Sequence, residues 1–192
     1  PTHTPTSVPV PSSLPTPTPG PPLTLWYQDN GQIYRYNLQT WDVEEITLPL
    51  IGTAMEAKIS PNGEWLAYLD KEGLKYMPLP QGNTVLLAKT DGEILPDDFV
   101  FSPDGHSLAY MEEKGLFIAD LPNNTRSLLW ENDLEKINQD PPDITLYVPV
   151  SWSADQDWLV IWTSWWEGGR LALGSITSKN IFPLSGCSDT SW

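Results

Sequence analysis

The sequence predicts an all-β fold built from repeated four-stranded antiparallel units. Three observations predict it: a turn motif that recurs at a nearly constant spacing, short apolar runs separated by turn residues, and the near absence of helical spacing. The repeat is the most informative of the three, because a fixed period defines the structural unit before any single strand is assigned.

The repeat is anchored by a Ser-Pro-Asx-Gly turn. Ser60-Pro61-Asn62-Gly63 precedes the apolar run at Trp65, and Ser102-Pro103-Asp104-Gly105 precedes a similar run at Ser107. Ser102 lies 42 positions after Ser60, and the match extends to Gly73 and Gly115 at the same offset. In such a turn Pro presets φ, Asn or Asp bonds its own backbone, and Gly takes a positive φ.

A third copy of the motif begins at Ser153, 51 positions after Ser102. Ala154 and Gln156 replace the Pro and Gly, so this turn is expected to be looser than the other two. The extra residues of this unit fall in the polar stretch 131–143. Within that stretch, Asn132 to Asn138 is the one segment for which the sequence predicts a helical turn or two.

Each complete unit contains four predicted strands. In the best-defined unit they are 56–59, 65–69, 74–79 and 84–88, with turn residues between them. A period of about 40 to 45 residues made of four short strands is that of a β-propeller blade. We therefore predict about four blade units within residues 23–192, either part of a larger propeller or a four-bladed one.

The two ends of this array match incomplete units. The run from Leu25 resembles the unit from its second strand onward, and Thr190-Ser191-Trp192 resembles its first strand. Two arrangements follow: an open arc of a larger ring, or a ring of four blades that the terminal segments complete. The sequence favours the arc, which would expose apolar blade faces and either associate or melt early.

The blade motif also carries a family resemblance. The pattern S-P-[DN]-G-x-x-L-A-Y, followed by an apolar strand such as Leu116 to Leu121, resembles the TolB-like, WD40-like blade of the PD40 type. The resemblance covers nearly all of residues 23–192. It implies the fold, and it implies less about function, because such propellers serve as protein-docking platforms, as gating domains of prolyl oligopeptidase-like enzymes and as sugar-facing modules.

Residues 1–22 differ in composition from the rest of the chain. They are rich in alternating Pro and Thr and contain no Asp, Glu, Lys or Arg, which favours extended polyproline II structure without a packed core. We predict a disordered tether that holds an extracytoplasmic domain, periplasmic, secreted or at the cell surface. Because the sequence starts at Pro1, either a leader has been removed or the chain is a fragment.

Charge and composition limit the possible partners. The chain has 25 acidic and 10 basic residues, a net charge of -15. Such a surface repels phosphate backbones, so nucleic acid and anionic membranes are not expected partners. The sequence also has no apolar run long enough to span a bilayer, and no membrane insertion is expected.

No catalytic, cofactor or metal site is predicted. A serine hydrolase needs a G-x-S-x-G elbow with a histidine base, and the sequence has no such elbow. His3, His106 and Cys187 are too few and too scattered for a zinc site. Turn aspartates explain the acidic pairs, and two of the turns that offer oxygen ligands, Asp29-Asn30-Gly31 and Asp155-Gln156-Asp157, do not match a calcium loop. Cys187 is expected to be a small buried thiol.

Tryptophans supply the candidate ligand contacts. The stretch Trp158 to Trp166 reads WLVIWTSWW, and Trp165 and Trp166 fall at a turn before Glu167. Exposed tryptophan pairs often mark contact sites, so these two are predicted to anchor a protein or to stack on a sugar. Trp158 and Trp162 are instead expected to pack between blades.

The function predicted from these observations is a non-catalytic propeller that binds a protein or peptide partner at the cell envelope. Two alternatives remain open. The blades could be the gating propeller of a prolyl oligopeptidase-like peptidase whose catalytic domain is absent from this sequence, or they could form a carbohydrate-binding propeller that depends on Trp165 and Trp166. A G-x-S-x-G elbow in adjoining sequence would favour the peptidase.

Overall fold

A computed structural model describes residues 24–29, 32–46, 56–80, 82–89, 99–136, 143–165 and 168–184. Every regular element in these segments is a β-strand, and all strand pairs are antiparallel. The predicted all-β fold of propeller blades is therefore confirmed. The described part of the chain contains no helix that is long and apolar enough to cross a membrane.

The strands form four sheets in chain order. The first sheet has three strands, β1 (Thr24–Asp29), β2 (Gln32–Asn37) and β3 (Val43–Ile46). The second has four, β4 (Glu56–Ile59), β5 (Trp65–Asp70), β6 (Gly73–Pro78) and β7 (Val85–Lys89). The third has β8 (Phe99–Phe101), β9 (Ser107–Glu112), β10 (Gly115–Asp120) and β11 (Thr125–Glu131).

The fourth sheet has five strands, which the sequence did not predict. They are β12 (Asp133–Lys136), β13 (Asp143–Trp152), β14 (Trp158–Trp165), β15 (Gly168–Ser175) and β16 (Ile181–Pro183). The helical turn predicted for Asn132 to Asn138 is wrong over residues 133–136, because this segment pairs with the start of β13. The residues inserted relative to the other units thus extend the sheet by one strand.

The Ser-Pro-Asx turns join the first two strands of each complete blade unit through the same hydrogen bonds. In the second sheet, the Ser60 hydroxyl donates to Asn62 Oδ1 at 2.6 Å and accepts from the Trp65 amide at 2.9 Å. In the degenerate copy, Ser153 donates to Asp155 at 2.5 Å and accepts from the Trp158 amide at 3.0 Å.

The prediction of a looser turn at Ser153 is therefore wrong. Gln156 takes the conformation that glycine takes in the other copies, with φ of 65° against 74° for Gly63 and 77° for Gly105. A non-glycine residue pays a steric penalty in this region. The turn nevertheless keeps its hydrogen bonds, because they depend on the serine and the Asx residue rather than on Pro and Gly.

Replacing Ser153 with alanine is expected to lower the free energy of unfolding by about 1–2 kcal/mol, because the Trp158 amide loses its hydroxyl acceptor. Ser102→Ala should cost a similar amount, since the Ser107 amide makes the equivalent bond at 2.9 Å. Denaturant melts of the two variants measure this, with the exposed Ser127→Ala as the neutral control. If Ser102→Ala lowered the free energy of unfolding and Ser153→Ala did not, the turn at Ser153 would be the looser one after all.

The core lies between successive sheets. Side chains alternate along a strand, so each sheet has two faces. We call forward the face that corresponds to the one the second and third sheets turn to the next sheet, and rear the opposite face. The forward face of the second sheet (Ala67, Leu69, Leu74 and Tyr76) packs on the rear face of the third (Phe99, Leu108, Tyr110 and Phe117). The forward face of the third sheet packs in the same way on Leu159, Ile161 and Ala172 of the fourth.

Side-chain donors also link neighbouring sheets through backbone carbonyls. Lys58 Nζ donates to the Phe99 carbonyl at 2.9 Å and lies 4.5 Å from the centroid of the Phe99 ring. The indole of Trp152 donates to the Val100 carbonyl at 3.1 Å, and that of Trp130 donates to the Lys179 carbonyl at 2.9 Å. These bonds satisfy polar groups at the margins of the apolar interfaces and fix how adjacent sheets are placed.

Several predictions concern residues outside the described segments. The predicted tether at residues 1–22, His3 and Cys187 belong to this group, as does the segment from Ser188 to Trp192 on which ring closure would depend. The tether, the division at residue 23, the buried thiol and the closure remain predictions.

Candidate binding surface

The predicted contact residues Trp165 and Trp166 belong to the hairpin between β14 and β15. Trp165 is the last residue of β14, and its backbone pairs with Gly168, the first residue of β15. The side chain of Trp165 and the whole of Trp166 lie outside what the structure describes. The contact role of both tryptophans remains a prediction.

The other two tryptophans of this stretch lie on the face of β14 that is turned away from the third sheet. Leu159 and Ile161 pack on the third sheet, so Trp158 and Trp162 alternate onto the opposite, forward face. Trp158 lies there against Phe182, with ring centroids 5.9 Å apart. No sheet among the described elements covers this face, so the packing of Trp158 and Trp162 between two blades remains a prediction. The sequence could not decide which face of β14 meets the third sheet, because both faces of this strand are apolar.

A groove lies between the outer strands of the second and third sheets. It has a volume of about 240 Å³ and is lined by Leu86, Leu87, Asn124, Thr125 and Arg126. Leu86 is 45% exposed, so the groove offers an apolar side chain to solvent. Its lining combines one apolar wall from β7 with a polar wall from the start of β11.

Arg126 holds the two walls of the groove together. One of its guanidinium nitrogens donates to the Leu87 carbonyl at 2.8 Å and to the Tyr110 hydroxyl at 3.2 Å. The same nitrogen pairs with Glu112, and the guanidinium carbon lies 5.2 Å from the centroid of the Phe117 ring. Burial raises the pKa of Tyr110 to about 12, so its hydroxyl remains neutral at physiological pH. The polar wall is thus preorganised.

Both outer strands offer an unpaired edge among the described elements. β7 pairs only with β6, and β11 pairs only with β10. The register of β6 and β7 shifts beside Leu74, which leaves Leu87 without a ladder partner and its carbonyl turned to Arg126. Because Leu87 and Arg126 are 39 positions apart in the chain, the sequence has no local signal for this groove.

The Ser-Pro-Asx turns form a second, acidic surface along one margin of the sheets. Asn62 lies so close to Gly105 of the next turn that a Cβ on the glycine would be 2.5 Å from its Cγ. His106 lies 3.5 Å from a carboxylate oxygen of Glu64 and 3.5 Å from one of Asp104. Burial alone would raise the pKa of Asp104, but hydrogen bonds from Ser102, the His106 amide and Gln156 outweigh it and hold this pKa below its ordinary value.

The acidic surface is built from turn residues. The two contacts of the His106 ring given above are to carboxylates, and no group of three or more His, Cys, Asp or Glu in these segments could hold a metal ion. The Asp155 carboxylate accepts from the Asp157 amide at 3.2 Å, as expected of turn aspartates. Of the acidic pairs that the sequence assigns to turns, Asp97 with Asp98 lies outside the described segments, as does Asp140, which precedes Asp143. Asn30 and Gly31 of the first oxygen-rich turn also lie outside them.

Comparison with solved structures supports the fold. A protein described as a TolB from Agrobacterium tumefaciens matches 88% of this chain and 60% of its own, with a TM-score of 0.56 and 17% identity. A nidogen/laminin complex matches 84% of this chain and 61% of its own (TM-score 0.53, 11% identity). Dipeptidyl peptidase 4 from Porphyromonas gingivalis matches 86% of this chain and 31% of its own (TM-score 0.54, 15% identity).

These likenesses establish the fold and leave the function open. No protein-family model matches the chain, and no curated protein matches it in sequence. The chain spans only 60% and 61% of the first two structures it matches. Together with the sheets described above, the likenesses identify a TolB-like β-propeller fold, as its blade motifs predicted.

Proposed function

We propose that this chain is a non-catalytic β-propeller interaction module that binds a protein or peptide partner at the cell envelope. The observation that carries the proposal is the groove between β7 and β11, where an unpaired strand edge lies beside an exposed leucine and a fixed arginine. An extended peptide can add to such an edge through main-chain hydrogen bonds, while side-chain pockets select its sequence.

The lining of the groove defines the kind of peptide that fits. Leu86 is exposed enough to pack on an apolar side chain of the peptide. Arg126 keeps 45% of its side chain exposed, so the guanidinium can meet a peptide carbonyl or carboxylate. The preferred ligand is therefore an extended segment with one apolar side chain and one acceptor group nearby.

Two further observations support an extracytoplasmic protein partner. The Pro/Thr-rich segment 1–22 has the composition of an extended spacer, which suits a domain held away from an anchor. Among structures of the same fold, one is the complex of nidogen with laminin, in which two proteins associate. The gating-propeller and carbohydrate-binding alternatives remain predictions.

The groove is tested by selecting short random peptides on phage against the full chain and measuring their affinity for two variants. Leu86→Glu should weaken the selected peptides about tenfold or more, because it places a charge where the apolar side chain packs. Val150→Glu changes a valine of similar exposure, 46%, outside the groove, and should leave affinity unchanged.

Circular dichroism of both variants shows whether they remain folded. Peptides that bind the wild type, Leu86→Glu and Val150→Glu equally well would refute the groove as the binding site. A library that yields no binder to the wild-type chain would refute peptide binding itself.

A further inference from the structure

The forward face of the fourth sheet is apolar and has no neighbouring sheet among the described elements. It consists of the β14 side chains that alternate with the buried Leu159 and Ile161, together with their cross-strand neighbours on β15 and β16. These residues are Trp158, Val160, Trp162, Leu171, Leu173 and Phe182. The first five are partly exposed, and Phe182 is 49% exposed. On the second sheet, the forward face is covered by the third sheet, and Ala67, Leu69 and Leu74 are each 0% exposed.

The rear face of the first sheet is uncovered in the same way. Leu25 occupies the position of Leu66, Leu108 and Leu159 in the later units, and those three leucines are fully buried. Leu25 is 51% exposed, and Val43, which lies on the same face across Tyr36 of the middle strand, is 53% exposed. The first sheet therefore exposes the face that each later sheet buries.

These two exposed faces are the two halves of an interface that the chain already forms internally. The forward face of the second sheet covers the rear face of the third, and the forward face of the third covers the rear face of the fourth. Within one molecule, the first and last faces do not cover one another, since Leu25, Val43 and Phe182 all remain about half exposed.

We propose that the forward face of the fourth sheet binds the rear face of the first sheet of a second copy of this chain, head to tail. The contact continues the interface between the internal sheets. It joins Leu25, Tyr36 and Val43 of the rear face, where Glu45 lies on the edge strand, to a tryptophan-rich forward face that gains from leaving water. Because the two faces differ, each copy keeps one free face unless two copies close on each other. The interface does not involve the groove, so the two proposals fail or succeed separately.

The test uses the full chain and two charge substitutions, one on each face. Val160→Lys places an ammonium on the forward face, and Leu25→Lys places one on the rear face. Sedimentation over a dilution series should show self-association of the wild type that weakens about a hundredfold or more in each variant, because a lysine without a partner would be buried. Ser127→Lys, on an exposed residue of β11 in the third sheet and on neither of the two proposed faces, is the control and should associate like the wild type.

Mixing the two variants identifies the orientation. Val160→Lys still has an intact rear face and Leu25→Lys an intact forward face, so an equimolar mixture should form one-to-one dimers. Folded variants that stay monomeric when mixed would overturn the head-to-tail contact. A wild-type chain that is monomeric at every concentration would overturn association through these faces altogether.

Discussion

Replacement of Gly115 by alanine is expected to lower the free energy of unfolding by about 3–5 kcal/mol, from backbone strain and steric overlap together. Gly115 begins β10 with a φ of 151°, a conformation that L residues rarely adopt. A Cβ there would lie 2.1 Å from the Trp130 carbonyl oxygen of the adjoining strand. The third sheet could relieve this overlap only by opening the pairing of β10 with β11.

The equivalent glycines provide matched comparisons for this substitution. Gly73 begins β6 with a φ of 144°, and its Cβ would lie 1.9 Å from the Ala88 carbonyl oxygen, so Gly73→Ala should be as costly. Gly168 begins β15 with a φ of 158°, but nothing lies within 4 Å of its Cβ position. Gly168→Ala should therefore cost only the strain, about 1–3 kcal/mol.

Denaturant melts of the three variants decide between these contributions. If Gly168→Ala were as costly as Gly115→Ala, the carbonyl overlap would not be the cause. If neither variant lost stability, the positive φ would not be a requirement of the fold.

Replacement of Leu159 by alanine is expected to cost about 2–5 kcal/mol, because this leucine is completely buried between the third and fourth sheets. Leu66→Ala and Leu108→Ala should cost amounts in the same range, since both leucines are also 0% exposed. Leu25 occupies the same place in the first unit but is 51% exposed, so Leu25→Ala should cost less than about 1 kcal/mol.

Thermal or denaturant melts at high dilution, where the copies are separate, measure this contrast. The four leucines share their residue type and their position in the repeat but differ in burial, since Leu25 is 51% exposed and the other three are 0% exposed. A cost for Leu25→Ala equal to that for Leu159→Ala in the separated chain would show that its face is already covered within one molecule.

Residue patterns were sufficient for the parts of the fold that depend on local chemistry. The predicted strands at 56–59 and 65–69 match β4 and β5 to within a residue, because Ser-Pro-Asx turns and apolar runs specify where a strand ends. The repeat contains a glycine at the same position in two units, Gly73 and Gly115, but the sequence does not explain why glycine is needed there. The structure supplies the cause, which is the carbonyl of the adjoining strand.

The errors arose where one local pattern is compatible with two structures. The polar segment after Glu131 can form a helical turn or a strand, and its pairing with β13 selected the strand. Gln156 lacks the freedom of glycine, yet the bonds from Ser153 and Asp155 keep the turn closed. In both cases contacts made by the folded chain outweighed an intrinsic preference of modest size.

The candidate groove could be identified only from the tertiary structure. Leu86 and Arg126 belong to different units and become neighbours only when the second and third sheets pack, so no motif contains both.

The sequence by itself determined the repeat, the four-stranded blade and the acidic character of the chain, because these follow from residue spacing and charge. Only the tertiary structure decided which faces are covered, since the second, third and fourth sheets carry apolar side chains on both faces. Leu25 and Leu159 occupy the same position in their units. Leu159 belongs to the core because the third sheet packs on its face, whereas Leu25 is a surface residue because no described sheet packs on its face.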